Sequence, residues 1–68
     1  MKKYYVNDRA QANGDHEVHQ EGCFWLSLAT SVTNLGYHNG CYSAVQNAKL
    51  YYRQSNGCKS CAEACHTG

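Results

Sequence analysis

Near the start of the chain, two short segments that favour β-strands are separated by a polar stretch with a turn-forming dipeptide. Residues 3–7 are rich in tyrosine and valine and favour a β-strand. The polar stretch after them ends in Asn13-Gly14, a dipeptide typical of hairpin turns. Residues 16–19 fit a returning strand, so this part of the chain predicts a β-hairpin.

The middle of the chain predicts one more strand and the main helix. Residues 34–38 favour a third strand, whereas residues 24–32 are apolar without a clear period. From about Ser43 to Gln54, apolar residues recur in steps of three and four, as on one face of a helix. The residues of this face are Ala44, Val45, Ala48, Tyr51 and Tyr52. Asn56-Gly57 predicts the end of this helix.

The end of the chain is dense in cysteine, and Ala62 to Ala64 favour a last helical turn. Together the segments predict one small α+β domain over residues 1–68. We expect a short antiparallel sheet of two or three strands, one main helix and a short C-terminal helical turn.

A chain of 68 residues needs a cross-link in addition to its core. A core of this size rarely supplies more than about 3–5 kcal/mol. No apolar run is long enough for a membrane span, and the residues after Lys2 and Lys3 do not resemble a signal peptide. We therefore predict a cytoplasmic protein with no membrane contact, in which a cysteine cluster binds metal or is catalytic. Because the chain has five cysteines, at least one cannot pair within it.

Two pairs of residues have the spacing of metal ligands. His19 and Cys23 are separated by three residues, and Cys58 and Cys61 by two. Zinc takes four such nitrogen and sulfur ligands in a tetrahedron, usually as two local pairs. The sequence thus predicts a structural Zn²⁺ site that ties the first half of the chain to its end.

Other interpretations of these residues stay open at this point. The cysteines can be small buried hydrophobic residues, disulfide partners, a redox motif or a haem attachment. Cys41, Cys65 and His66 are left over, as alternative ligands, an oxidisable pair or buried thiols. His16 and His19 lie three apart on a predicted strand and face opposite ways, so we do not expect one metal ion to bind both.

The order of these motifs resembles the Ada-type metal-binding domain. The matching positions are Tyr5-Val6, 19–23, Tyr37, 44–48 and 57–61. They extend over about three quarters of the chain, with few fixed residues. In that domain all four ligands are cysteines and one accepts a methyl group, whereas His19 takes the first position here. The stretch from Gly14 to His19 with the Cys-His tail is also similar to small uncharacterised bacterial proteins.

The function predicted from these observations is a structural zinc module that binds a partner, more readily a protein than a nucleic acid. Three thiolates and one Zn²⁺ would bring the formal charge from +1 to zero, which gives little attraction for phosphates. A possible binding surface consists of Tyr4, Tyr5, Tyr51 and Arg53. The alternatives are a zinc-thiolate alkyl acceptor and a redox or metal sensor. An enzyme is less favoured, because the sequence holds no Ser-His-Asp set and no phosphate-binding loop.

Overall fold

The computed structural model describes residues 1–67. They form an α+β fold with one main helix and a short C-terminal turn, as predicted. The strands are β1 (Lys2–Asn7), β2 (His16–Gln20), β3 (Val32–His38) and β4 (Ser55–Gly57). The helices are α1 (Phe24–Ser27) and α2 (Cys41–Ala48), and a 3-10 turn spans Glu63–Cys65.

The four strands form one sheet in the order β3-β1-β2-β4. β1 is antiparallel to β2 and to β3, whereas β4 runs parallel to β2. The sheet therefore has one strand more than predicted and is mixed rather than purely antiparallel. β4 was not predicted because it is short and polar, and because Asn56-Gly57 is typical of a turn rather than a strand.

An irregularity in β3 helps to build the core. Along β1 the partner of Tyr4 is Gly36, but the partner of Tyr5 is Asn34, so Leu35 has no opposite residue. Such a bulge bends the strand and redirects a side chain. Here the side chain is Leu35, which is buried.

The core lies between one face of the sheet and α2. It contains Tyr4, Val6, Val18, Leu35, Ala44, Val45 and Ala48. Because two of the three α2 residues in it are alanine, the core holds little apolar volume and a cross-link contributes strongly to stability.

Helix α2 ends at Ala48, earlier than the predicted end at Gln54. Tyr51 and Tyr52 both donate their backbone N–H to the carbonyl of Ala48, in a closing turn. Tyr52 then stacks on His16, with ring centroids 3.9 Å apart, and donates its hydroxyl to Asp8 Oδ1 at 2.9 Å. These contacts with the hairpin draw Tyr52 out of the helical path, and Tyr51 is left exposed.

No helix in the described part of the chain has the length and apolar character that crossing a bilayer requires.

Candidate metal centre

Strand β2 positions His19 on the face of the sheet away from α2. Val18 belongs to the core under α2, and its neighbour His19 points the opposite way because side chains alternate along a strand. His19 faces the same side as its cross-strand partner Tyr5 and is only 1% exposed. Both faces of β2 are therefore covered, one by apolar packing and the other by the candidate metal centre.

A tight turn brings Cys23 back towards His19. The backbone N–H of Cys23 donates to the carbonyl of Gln20 at 3.1 Å, and Gly22 between them has φ +84°. Residues other than glycine adopt this backbone conformation only with strain. Cys23 then occupies the N-cap position of α1, so the start of this helix forms one wall of the site.

The second pair is placed by the parallel pairing of β4 with β2. Val18 pairs with Gly57, and the N–H of the next residue, Cys58, donates to the carbonyl of Val18 at 2.9 Å. The chain then turns, with the N–H of Ala62 donating to the carbonyl of Cys58 at 2.9 Å. This turn carries Cys61 back over the end of β2, where the N–H of Gln20 donates to its Sγ at 3.3 Å.

The four side chains predicted as ligands converge in the structure. One ligand atom from each of His19, Cys23, Cys58 and Cys61 lies within 4.8 Å of all the others. Nδ1 of His19 is 3.8 Å from Sγ of Cys23 and 3.8 Å from Sγ of Cys61. Ligand atoms on a tetrahedral zinc, with bonds of about 2.0–2.3 Å, lie about 3.6–3.8 Å apart. The donor set and its spacing thus fit a metal ion of this kind.

The surroundings of His19 keep its imidazole in the form that binds metals. Burial lowers the pKa of His19, and the nearby carboxylate of Glu17 opposes this shift only in part. This shift favours the neutral ring, which is the form that binds a metal ion. Nε2 faces away from the thiols, towards Oε1 of Glu17 at 3.7 Å. This separation is longer than a hydrogen bond, so Glu17 lies beside the outer nitrogen without accepting a hydrogen bond from it.

The thiols differ in how readily they ionise. Burial opposes ionisation of Cys23, but hydrogen bonds with Cys61 and from the backbone of α1 outweigh it and lower its pKa. Burial raises the pKa of Cys61, and its contact with Cys23 raises it further. Since a thiolate is needed for coordination, a divalent cation is the group that would stabilise all the sulfurs in their charged form.

The three leftover residues lie outside this cluster. Cys41 and Cys65 form a disulfide, with their Cα atoms 6.1 Å apart, so of the alternatives considered the structure shows the oxidised pair. Nδ1 of His66 lies 3.0 Å from the carbonyl oxygen of Gly57. His16, on the opposite face of β2 from His19, bonds through Nδ1 to the carbonyl of Asn7 at 3.0 Å.

The predicted binding surface is wrong for Tyr4, which is 4% exposed and part of the core. Tyr4 lies two residues from Val6 on β1, so both side chains face the same side of the sheet. That side faces α2, because Val6 pairs with the core residue Val18. Tyr5 points to the other face and is half-buried, while Tyr51 and Arg53 are exposed beyond α2.

Sequence reasoning missed the exposed apolar side chains beside the metal centre. Phe24 is 65%, Trp25 49% and Leu28 57% exposed, all at or just after α1. Nε1 of Trp25 donates to Oγ of Ser60 at 3.1 Å, which ties α1 to the turn between Cys58 and Cys61. The sequence shows that residues 24–28 are largely apolar. That these side chains are exposed to solvent is seen only in the structure, where α1 has no buried residue.

Comparisons of the chain with protein families, with curated proteins and with solved structures each find no match. The resemblance to the Ada-type domain therefore stays a prediction.

Proposed function

We propose that the protein is a structural zinc-binding module. The observation that carries the proposal is the convergence of His19, Cys23, Cys58 and Cys61, whose ligand atoms all lie within 4.8 Å of one another. Four protein ligands complete a tetrahedron and leave no position for a reactive water, which is the mark of a structural site. Thiolate and imidazole ligands in this geometry favour Zn²⁺ over the oxygen-seeking Mg²⁺ and Ca²⁺.

The structural role follows from what the four ligands connect. They join β2, the start of α1 and the segment that follows β4, none of which is held by a large apolar core. Helix α1 itself has no buried residue. In such a domain the free energy of metal binding becomes free energy of folding.

The surface that this module would offer to a partner is the apolar cluster of Phe24, Trp25 and Leu28, which we call the α1 cluster. Exposed aromatic side chains grouped on one surface are typical of protein interfaces. With zinc bound the formal charge of the domain is zero, and Glu17 lines a shallow cavity together with Trp25 of this cluster. These charges favour a protein partner over a nucleic acid.

Native mass spectrometry tests the metal site. We expect one zinc ion per chain in the wild type, purified without chelator, and its loss in His19→Ala and in Cys58→Ala. The matched control is His16→Gln, which changes a histidine three residues away on the other face of β2 and should keep the ion. A wild-type protein without metal, or full zinc occupancy in both ligand variants, would contradict the proposal.

The preference for a protein partner can be checked without knowing the partner. Trp25 is the only tryptophan, so its fluorescence reports on the α1 cluster. We expect no change when mixed-sequence single-stranded oligonucleotides are added at low salt, where phosphate binding is strongest. A saturable change that weakens with added salt would favour a nucleic-acid role instead.

A further inference from the structure

The disulfide joins the start of the main helix to the end of the C-terminal segment. Cys41 is the first residue of α2 and Cys65 is the last residue of the 3-10 turn, 24 residues later. The bond therefore fastens the C-terminal segment, residues 58–65, to the main helix. Two of the four candidate metal ligands, Cys58 and Cys61, belong to this same segment.

Close packing connects the disulfide to the metal ligands. A Cβ atom placed on Gly57 would lie 2.8 Å from Cβ of Cys65 and 2.7 Å from the carbonyl oxygen of Ala62. Cys65 thus packs directly on the residue that precedes the ligand Cys58. The N–H of Cys65 also donates to the carbonyl of Ala62 at 2.9 Å, next to the ligand Cys61.

We propose that the Cys41–Cys65 disulfide is a redox site that controls how firmly the metal is retained. The proposal rests on the metal-binding function proposed above. With the bond closed, the C-terminal segment is confined to the geometry in which Cys58 and Cys61 face His19. Reduction releases the end of this segment, so the two ligands detach more often and the metal escapes faster.

Some contacts of the segment do not depend on the disulfide. Asn56 exchanges hydrogen bonds with the backbone of Thr67, and Nδ1 of His66 lies 3.0 Å from the carbonyl oxygen of Gly57. Because these contacts remain after reduction, metal retention is weakened rather than abolished. Only part of the constraint that the disulfide imposes acts on the ligands, so we expect an effect on the order of ten-fold.

The chemistry of the switch is a two-electron reduction. With a phosphine as reductant, the phosphorus attacks one sulfur and breaks the S–S bond. Water then hydrolyses the thiophosphonium intermediate: its oxygen goes to phosphorus and its two protons go to the sulfurs. The products are the thiols of Cys41 and Cys65 and one phosphine oxide, and the metal-bound thiolates take no part.

Thermodynamic linkage requires the converse effect. If the disulfide favours metal binding by some factor, then bound metal favours the disulfide by the same factor. A ten-fold coupling would lower the reduction potential of the disulfide by about 30 mV when zinc is bound. This shift is a second readout that does not depend on rates.

The test measures the rate at which zinc passes to an excess of a chromophoric chelator. We compare the oxidised wild type with the Cys41→Ser/Cys65→Ser double variant and expect transfer on the order of ten-fold faster in the variant.

A stability control separates the proposed mechanism from general loosening of the fold. Val45→Ala removes core volume from α2 and leaves the disulfide intact. If Val45→Ala speeds transfer as much as the double variant at equal loss of stability, the disulfide has no specific role and the inference is wrong. Equal rates in the oxidised wild type and the double variant, each with one zinc by native mass spectrometry, would also overturn it. Absence of zinc from the oxidised wild type would instead refute the metal-binding function itself.

Discussion

Gly57 is the residue at which a single methyl group would matter most. An added Cβ would meet the Ala62 carbonyl oxygen at 2.7 Å and the Cys65 carbonyl carbon at 2.9 Å, and such backbone atoms cannot move without displacing the segment. We therefore expect Gly57→Ala to lower the free energy of unfolding by about 1–3 kcal/mol and to weaken zinc retention. Chemical denaturation measures the first effect and chelator competition the second.

The control for this substitution is Gly40→Ala. Gly40 has an extended backbone with φ −168°, and a Cβ added to it would have no atom within 4 Å, so the methyl group meets open space. We expect a loss of less than about 1 kcal/mol, from the weaker helix N-cap alone. Equal losses in the two variants would mean that close packing at Gly57 is not what excludes a side chain there.

Asp8 provides a pH-dependent contribution at the residue scale. Its carboxylate accepts hydrogen bonds from Ser31, Thr33 and Tyr52, in that order of influence, and they lower its pKa. A carboxyl group whose pKa is lower in the folded state stabilises the fold above its unfolded pKa of about 3.9, and this stability is lost as the pH falls through the folded value.

We therefore expect Asp8→Asn to destabilise the protein by about 1 kcal/mol at neutral pH, since the site is only half-buried. The difference between wild type and variant should begin to shrink as the pH falls below about 5 and should continue to shrink through the unfolded pKa of about 3.9. Denaturation with excess zinc measures it over the pH range in which zinc stays bound, and Glu63→Gln, which removes an exposed carboxylate, is the control. A difference that stays constant with pH would exclude the carboxylate as its source.

At the scale of the elements, strands and helices were predicted correctly where the local sequence preference and the tertiary contacts agree. The Asn13-Gly14 turn predicted β2 as the returning strand of a hairpin, and the period through Ala44 and Ala48 predicted α2. Both elements pack apolar side chains into the core. The end of α2 and the existence of β4 were both missed. Besides the lack of a strand-like local pattern in β4, the two features share a second cause. Both depend on contacts with the distant hairpin, through Tyr52 and Asn56, that no local pattern contains.

A substitution at Asn56 tests how far this side chain holds β4 and the tail in place. Its buried amide donates to Asp15 at 3.1 Å and to the Thr67 carbonyl at 2.7 Å, and its oxygen accepts the Thr67 N–H at 2.9 Å. We expect Asn56→Ala to cost about 1–2 kcal/mol and to increase hydrogen exchange at the Thr67 amide. Asn39→Ala, at an exposed asparagine, should do neither. Unchanged exchange at Thr67 would show that β4 holds the tail without this side chain.

At the scale of the whole molecule, the ligand spacing pointed to the candidate metal centre without knowledge of the fold around it. Each ligand pair is local in sequence, so its spacing is visible in the chain, and two such pairs were enough to suggest one tetrahedral site. The pairing of Cys41 with Cys65 was left open, because it depends on where the helix and the tail meet in space. Glu17 could not be assigned to His19 Nε2 either, since that contact depends on which face of β2 each residue occupies.

Metal removal tests the whole molecule at once. The core is small, and a core of this size supplies only about 3–5 kcal/mol, whereas a structural zinc ion contributes about 10–16 kcal/mol of binding free energy. The disulfide closes a loop from α2 to the tail, and β2 and α1 are held to that loop only by strand pairing and hydrogen bonds. We therefore expect an excess of a strong chelator to unfold the domain even with the disulfide intact.

Amide signals in the NMR spectrum should then lose their dispersion, and added Zn²⁺, but not Mg²⁺, should restore it. A dispersed spectrum that persists in excess chelator, with no zinc left on the protein, would mean that the core and the disulfide are sufficient to maintain the fold.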